Sequence, residues 1–175
     1  MTIRHARPSD LPALVEILNA AIARRQNALL APVSAGDRAG WLDAHPPEAY
    51  PLWVASGAMP SGEPAAVETR EVAGWCSLSP WRSGRGALAA TAEISVYIAP
   101  GRQRQGVGTA LLRHAVRHAP EVGIRTLLAI GLETNAASLA LFSREGFARW
   151  GALPDVAQFG SERVGQWILG QSVAP

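Results

Sequence analysis

The sequence predicts a single α/β domain spanning residues 1–175 and built on a mixed sheet. Three observations carry that expectation. Strand and helix patterns interleave along the whole chain, in the order βααβββαβαββ. The length of 175 residues is enough for one full hydrophobic core. Finally, "AEISVYIAPGRQRQGVGTALLRHAV", residues 92–116, passes from an alternating strand through a glycine-rich basic loop into a helix pattern.

"TIRHA" alternates and opens the chain as a strand. "SDLPALVEILNAAIARR" follows as a helix, with Ser9 as its N-cap, Asp10 in the first turn, and Leu14, Ile17, Leu18 and Ile22 at helical spacing. "SAGDRAGWLDAH" reads as a short second helix, with Ser34 and Asp37 spaced as an approximate capping box. "PLWVAS" is a strand, "GAMPSGEPAAVETR" a Gly/Pro-rich loop and "EVAGWCSLS" the next strand. "PWRSGRGALAA" is another loop, and "TAEISVYIA" is the fourth strand. A helix over residues 106–118 follows, with Val107, Leu111, Ala115 and Val116 apolar, and Gly123 marks the turn after it. "RTLLAIGL" is mostly apolar, which suits the middle of a sheet. "NAASLALFSREG" is a helix capped by Asn135 and stopped by Gly146. "FARWGAL" and "VGQWILG" close the chain as two strands.

Composition narrows the function classes. There is no run of about 18 apolar residues, so neither a transmembrane helix nor a membrane partner is expected. "MTIRHARPSD" lacks the apolar middle of a signal peptide, and the expected location is the cytoplasm. The net charge is +2, and all 16 basic residues are arginines scattered along the chain, so no nucleic-acid partner is expected. The single cysteine, Cys76, excludes an internal disulfide and reads as a buried strand residue. His114 and His118 stand four apart on a helix and read as a solvated face, and no metal is expected.

The glycine-rich loop has a physical use. A loop that ends at a helix start gathers backbone N–H groups with no intrahelical partner. Glycines let a ligand approach them, and the helix dipole adds positive potential. Together these suit a pyrophosphate. A Walker A loop needs a lysine, and this chain has none. The dinucleotide fingerprint needs a third glycine that "GVGTAL" lacks. What remains is Gln103-x-x-Gly106-x-Gly108, flanked by Arg102 and Arg104.

That spacing, in "SVYIAPGRQRQGVGTALL", resembles the acetyl-CoA loop of the GNAT N-acetyltransferase superfamily. "NAASLALFSREGF" resembles its Asn-x-x-Ser-x-x-Leu…Gly-Phe segment, and "IRHARPSDLPALVEILN" its first strand and helix. "TAEISVYIAP", "PWRS" and "IGL" are closer still to the phosphinothricin and methionine sulfoximine acetyltransferases. The resemblance implies one GNAT-type domain. Its sheet would be mixed, mostly antiparallel and twisted, splayed after the fourth strand and flanked by helices. It implies acetyl-CoA as cosubstrate and a homodimer.

Acetyl transfer to an amine makes two demands. The amine must shed a proton, since a primary ammonium such as lysine titrates at about 10.4. A carboxylate can receive that proton. Alternation puts Glu93, Ser95 and Tyr97 on one face of the strand and Ala92, Ile94, Val96 and Ile98 on the other. From the residues alone, Glu93 is either a base or a solvent-facing carboxylate; the resemblance places the general base there. The tetrahedral oxyanion must also be stabilised, and backbone N–H groups can do it. As the resemblance implies, the strand at Val96, Tyr97 and Ile98 holds the pantetheine arm. Gln103, Arg104, Gln105, Gly106, Val107, Gly108 and Thr109 take the pyrophosphate, and Asn135 and Ser138 meet the cofactor across the cleft.

The chain also departs from the pattern. Phe142 stands where the superfamily usually offers a tyrosine acid and the closer family often a histidine. A thiol titrates near 8.5, so its thiolate is a tolerable leaving group, and no general acid is assigned. The stretch "RRQNALLAPVS" lacks the aromatics that shape the family's amino-acid pocket, and Glu162 and Val164 replace a usual Trp and Asp. Trp81 and Arg82 remain as acceptor-binding candidates, Arg82 through a bidentate pair with a carboxylate or phosphinate. The expected activity is N-acetylation of a small amine, an amino acid or analogue. The alternatives are a non-catalytic acyl-CoA-binding module and an acetyltransferase acting on a protein amine.

Overall fold

The computed structural model describes residues 1–57 and 71–173. Within them seven strands form one sheet in the order β1-β2-β3-β4-β5-β7-β6. These are β1 (Thr2–His5), β2 (Leu52–Gly57), β3 (Glu71–Pro80), β4 (Thr91–Ile98), β5 (Thr126–Leu132), β6 (Ala148–Phe159) and β7 (Glu162–Ser172). β4 and β5 pair in parallel, and every other neighbouring pair is antiparallel.

Both faces of the sheet are covered, because helix patterns precede and follow the central strands. α1 (Leu11–Ala23) buries Leu14, Ile17, Leu18 and Ile22 against Val54, Val72 and Trp75. α2 (Val107–His118) packs Val107, Leu111, Leu112 and Ala115 on the opposite face against Cys76, Leu78, Ala92 and Ile94. Alternation in β4 serves both layers: Ala92 and Ile94 join the α2 side and Tyr97 the α1 side. Trp75 locks the α1 layer, stacking on Tyr97 at 4.4 Å and donating its Nε1–H to the Leu14 carbonyl at 3.2 Å. α3 (Ala136–Arg144) stops at Gly146, as expected.

The parallel ladder is short. Thr91 pairs with Thr126, Ala92 with Leu127 and Glu93 with Leu128, and there the ladder ends. Among the described residues no strand lies beside the β5-facing edge of β4 from Ile94 to Ile98, while β5 continues along β7 to Leu132. The expected splay after the fourth strand is present.

Four sequence expectations need correction. The second helix is only a 3-10 turn at Gly36–Arg38, followed by turns to residue 45. Gly36 and Gly40 weaken a helix there. Trp41 is instead held edge-on by Trp75 at 4.8 Å. The Ser34–Asp37 capping box does form: the Ser34 N–H donates to Asp37 Oδ2 at 2.7 Å, and the Asp37 N–H to Ser34 Oγ at 3.1 Å. Ser9 does not cap α1. Its neighbour Asp10 holds the entry, accepting from the Arg7 N–H at 2.7 Å and from both Arg4 nitrogens at 2.7 and 2.8 Å. Burial opposes ionisation of Asp10, but Arg4 and the Arg7 amide outweigh it and hold the carboxyl below its usual range. His114 and His118 are half-buried rather than fully solvated: they stack on each other at 4.0 Å, and His114 meets Trp53 edge-on at 5.2 Å. Burial, then His118, lowers His114 to about 4. The closing strands are longer than expected, because β6 accommodates Pro154 through a register shift between Leu153 and Ala157. Most of the expected loop at residues 57–70 lies outside the described residues.

Candidate active site

The splay opens a cleft of about 640 Å³. One wall is β4 from Glu93 to Ile98, and the other is β5 from Ala129 to Leu132. The start of α2 and part of α3 close one end, and residues 26–29, just after α1, close another.

The loop from β4 to α2 forms a cradle of backbone donors. Arg104 and Gly106 both adopt positive φ, +62° and +80°. These left-handed residues turn the chain within the loop of residues 99–106 that joins β4 to α2. Gly106 is the N-cap, and the first backbone bond of the helix runs from the Ala110 N–H to the Gly106 carbonyl at 3.0 Å. The Val107, Gly108 and Thr109 amides therefore have no intrahelical carbonyl behind them and carry the positive end of the dipole. Gly108 serves packing: a Cβ there would stand 3.0 Å from Leu141 Cδ2, so its absence lets α2 and α3 approach. An anion with an extended arm suits this donor set, since the unpaired edge of β4 leads directly into the cradle.

Glu93 sits where the walls meet. It is half-buried, and burial raises its carboxyl above the usual range. Ser79 pairs with it across β3–β4. Behind Ser79 lies His45, whose Nδ1 is 2.8 Å from the Trp41 carbonyl and so must donate to it. That leaves Nε2 to accept from the Ser79 hydroxyl at 3.4 Å. Burial lowers the pKa of His45, which keeps this wall neutral. Tyr97 lines the same cleft; burial pushes its phenol up, so it stays protonated.

The structure brings most of the expected site residues together. Glu93, Val96, Tyr97, Ile98, Gln103, Arg104, Gly106, Val107, Gly108, Thr109, Asn135 and Ser138 all line the cleft. Gln105 does not; its Nε2 donates to the Gly101 carbonyl at 2.7 Å and braces the loop. Trp81 and Arg82 lie outside the lining, with Arg82 over the Trp81 ring at 5.4 Å. Phe142 lines the cleft, buried and edge-on to Phe147 at 5.0 Å. Cys76 is buried away from it, and burial pushes its thiol up. Among the described residues, no group of three or more His, Cys, Asp or Glu could hold a metal ion.

Sequence reasoning missed residues 26–29. Asn135 Nδ2 donates to the Gln26 carbonyl at 3.0 Å, although the two lie 109 residues apart. Asn27 Oδ1 accepts from the Leu29 N–H at 3.0 Å. Among the described residues its buried Nδ2 has no hydrogen-bond partner, while the side chain lies close enough to the Tyr97 phenol to moderate the upward push of burial. The available signal was the polar Gln26–Asn27 pair directly after the apolar helix pattern.

Comparison with known proteins agrees with this geometry. The sequence profile of the acetyltransferase (GNAT) family matches residues 30–147. YwnH of Bacillus subtilis, provisionally named a phosphinothricin acetyltransferase, is 39% identical over 175 residues, covering 99% of this chain and 100% of its own. An L-methionine sulfoximine/L-methionine sulfone acetyltransferase of Pseudomonas paraeruginosa is 32% identical over 168 residues, 95% of this chain and 89% of its own. Among solved structures, a Salmonella typhimurium protein provisionally named an acetyltransferase, solved with acetyl-CoA, has a TM-score of 0.86 at 27% identity, covering 100% of this chain and 95% of its own. With the splayed sheet, the donor cradle and a profile match over most of its length, the chain belongs to the GNAT family of acetyltransferases.

Proposed function

We propose that this enzyme moves an acetyl group from acetyl-CoA to the primary amine of a small amino acid or analogue, of the phosphinothricin or methionine sulfoximine type, by direct transfer with Glu93 as general base. The observation that carries the reading is the position of Glu93. It is a half-buried carboxylate at the vertex of the cleft, on the strand that leads into the donor cradle.

The residues present fit acetyl-CoA. The backbone of β4 from Val96 to Ile98 offers an unpaired edge to an extended arm. Amides of residues 104–109, with Gln103, suit a pyrophosphate, and Ser138 faces the same cleft. Once bound, acetyl-CoA supplies an activated acetyl thioester.

The chain's own residues do the rest. Glu93 accepts the ammonium proton, directly or through a water, and its raised pKa brings its basicity closer to that task. β4 backbone N–H groups stabilise the oxyanion. Phe142 excludes water and donates nothing, so the thiolate leaves without a side-chain acid. A second copy of the chain is the expected partner. The free edge of β6 supports this, with Trp150, Leu153 and Val156 exposed on it.

A thiol-release assay with acetyl-CoA tests the reading. L-phosphinothricin, L-methionine sulfone, common amino acids, a polyamine and a peptide are compared as acceptors. Turnover with the amino-acid group is expected. Turnover with the peptide alone would move the activity to protein amines, and none with any acceptor would leave an acyl-CoA-binding module.

A further inference from the structure

The loop after α1 is the part of the cleft wall that belongs to neither the sheet nor the cradle. Residues 26–29 line the cleft together with Glu93 and Tyr97. At one end the loop is fixed to α1: the Arg25 N–H donates to the Ile22 carbonyl and the Gln26 N–H to the Ala21 carbonyl, both at 2.9 Å. Inside it, the bond from the Leu29 N–H to Asn27 Oδ1 makes an Asx-type turn. Across the splay its backbone is held by Asn135, through the bond to the Gln26 carbonyl. The ion pair between Arg25 and Glu162 also spans the gap, at 3.0 Å, but both partners are largely exposed, so it contributes little.

Asn135 is suited to this task because its two ends do separate work. Oδ1 accepts the Ser138 N–H at 3.2 Å and caps α3, while Nδ2 reaches back to Gln26. The two bonds fix the amide plane. One side chain therefore ties the cofactor-side helix to the acceptor-side loop.

We infer that Asn135 is a positioning residue for the acceptor pocket, clasping the loop at residues 26–29 across the splay through the Gln26 carbonyl. The inference rests on the proposed acetyl transfer for its kinetic consequence, though not for its structural one. With the clasp in place, Gln26, Asn27, Ala28 and Leu29 present a fixed wall to the acceptor. Without it the wall keeps its bonds to α1 and the exposed Arg25–Glu162 pair, and the acceptor binds a wall it must first order.

The test separates the cap from the clasp. Asn135→Ser keeps an N-cap acceptor but is too short to reach Gln26. Asn135→Asp keeps the cap and offers no donor. Each variant is measured for acetyl-CoA affinity by calorimetry, for KM and kcat with L-methionine sulfone, and for amide hydrogen exchange. In both variants, the amides of residues 26–29 are expected to exchange faster while those of α3 do not. Acceptor KM is expected to rise about fivefold, the size of one net hydrogen bond, and by more than any change in acetyl-CoA affinity. Unchanged exchange at residues 26–29 would overturn the clasp. So would a tenfold loss of acetyl-CoA affinity with acceptor KM unchanged, which would make Asn135 a cofactor contact. Should the parent protein transfer nothing to any acceptor, the proposed function fails, and the exchange measurement still decides the clasp.

Discussion

Glu93 stands opposite Leu128 on the last rung that joins β4 to β5. One residue further, the strands part. The carboxylate is therefore held by paired backbone on both sides, through Ser79 and Leu128, yet borders the open cleft.

Replacing Glu93 by Gln keeps the shape and removes the proton acceptor. Loss of a general base typically costs about 10²- to 10⁴-fold. The Glu93→Gln protein is expected to bind acetyl-CoA like the parent and to turn over slower by that factor in the thiol-release assay. An equal rate at pH 7 would make Glu93 structural.

The pH profile follows from burial. Because burial raises Glu93, the side chain takes up its proton at higher pH than an ordinary glutamate, which titrates near 4.3. The acid limb of kcat/KM is expected above that value. A limb at or below it would remove Glu93 as the free enzyme's base.

Stability should move the opposite way to activity. Ionising Glu93 is harder in the fold than in the unfolded chain. Its contribution to stability is thus full below the unfolded pKa and lost as pH rises through the folded one. Glu93→Gln resembles the protonated form at every pH. Its Tm should exceed that of the parent at pH 8, and the gain should vanish at about pH 4 or below. A constant difference across that range would mean that burial does not strain the carboxylate.

Gly106 tests the cradle. A Cβ there would meet open space, so the difficulty is its φ of +80°. Gly106→Ala should cost roughly 1–2 kcal/mol of stability through the left-handed backbone. Gly106→Asp adds a negative charge at the start of α2, and acetyl-CoA should bind at least tenfold more weakly by calorimetry. Unchanged affinity in the folded Asp variant would place the pyrophosphate elsewhere.

Phe142→Tyr tests the missing acid. The ring is 4% exposed and packs edge-on to Phe147, so a new hydroxyl needs a partner where the packing is apolar. Turnover is expected to stay level or fall. A tenfold gain in kcat with unchanged KM would show that protonation of the thiolate limits the rate.

Local chemistry was legible in the sequence. The alternation of β4 sorted Glu93 and Tyr97 from Ala92 and Ile94, and Gly106 and Asn135 announced two helix starts. Non-local geometry was not. The splay was expected only from the family resemblance, since no residue in β4 or β5 marks where their pairing ends. The Gln26 carbonyl is backbone, so its bond to Asn135 leaves no side-chain trace at position 26. The turn at residues 36–38 was misread because a capping box signals a helix start but not a helix length.

Three rungs are few to hold a sheet together. They divide it into a sub-sheet of β1 to β4 and another of β5 to β7, stitched along a seam three residues long. The first sub-sheet carries α1 and α2 and the second α3, and the seam is the shortest ladder in the sheet. A ligand lying along the bare edge of β4 would act as a missing strand, lengthening that seam from one side. Ligand binding should then make the two sub-sheets unfold as one cooperative unit, where the bare protein can yield first at the seam.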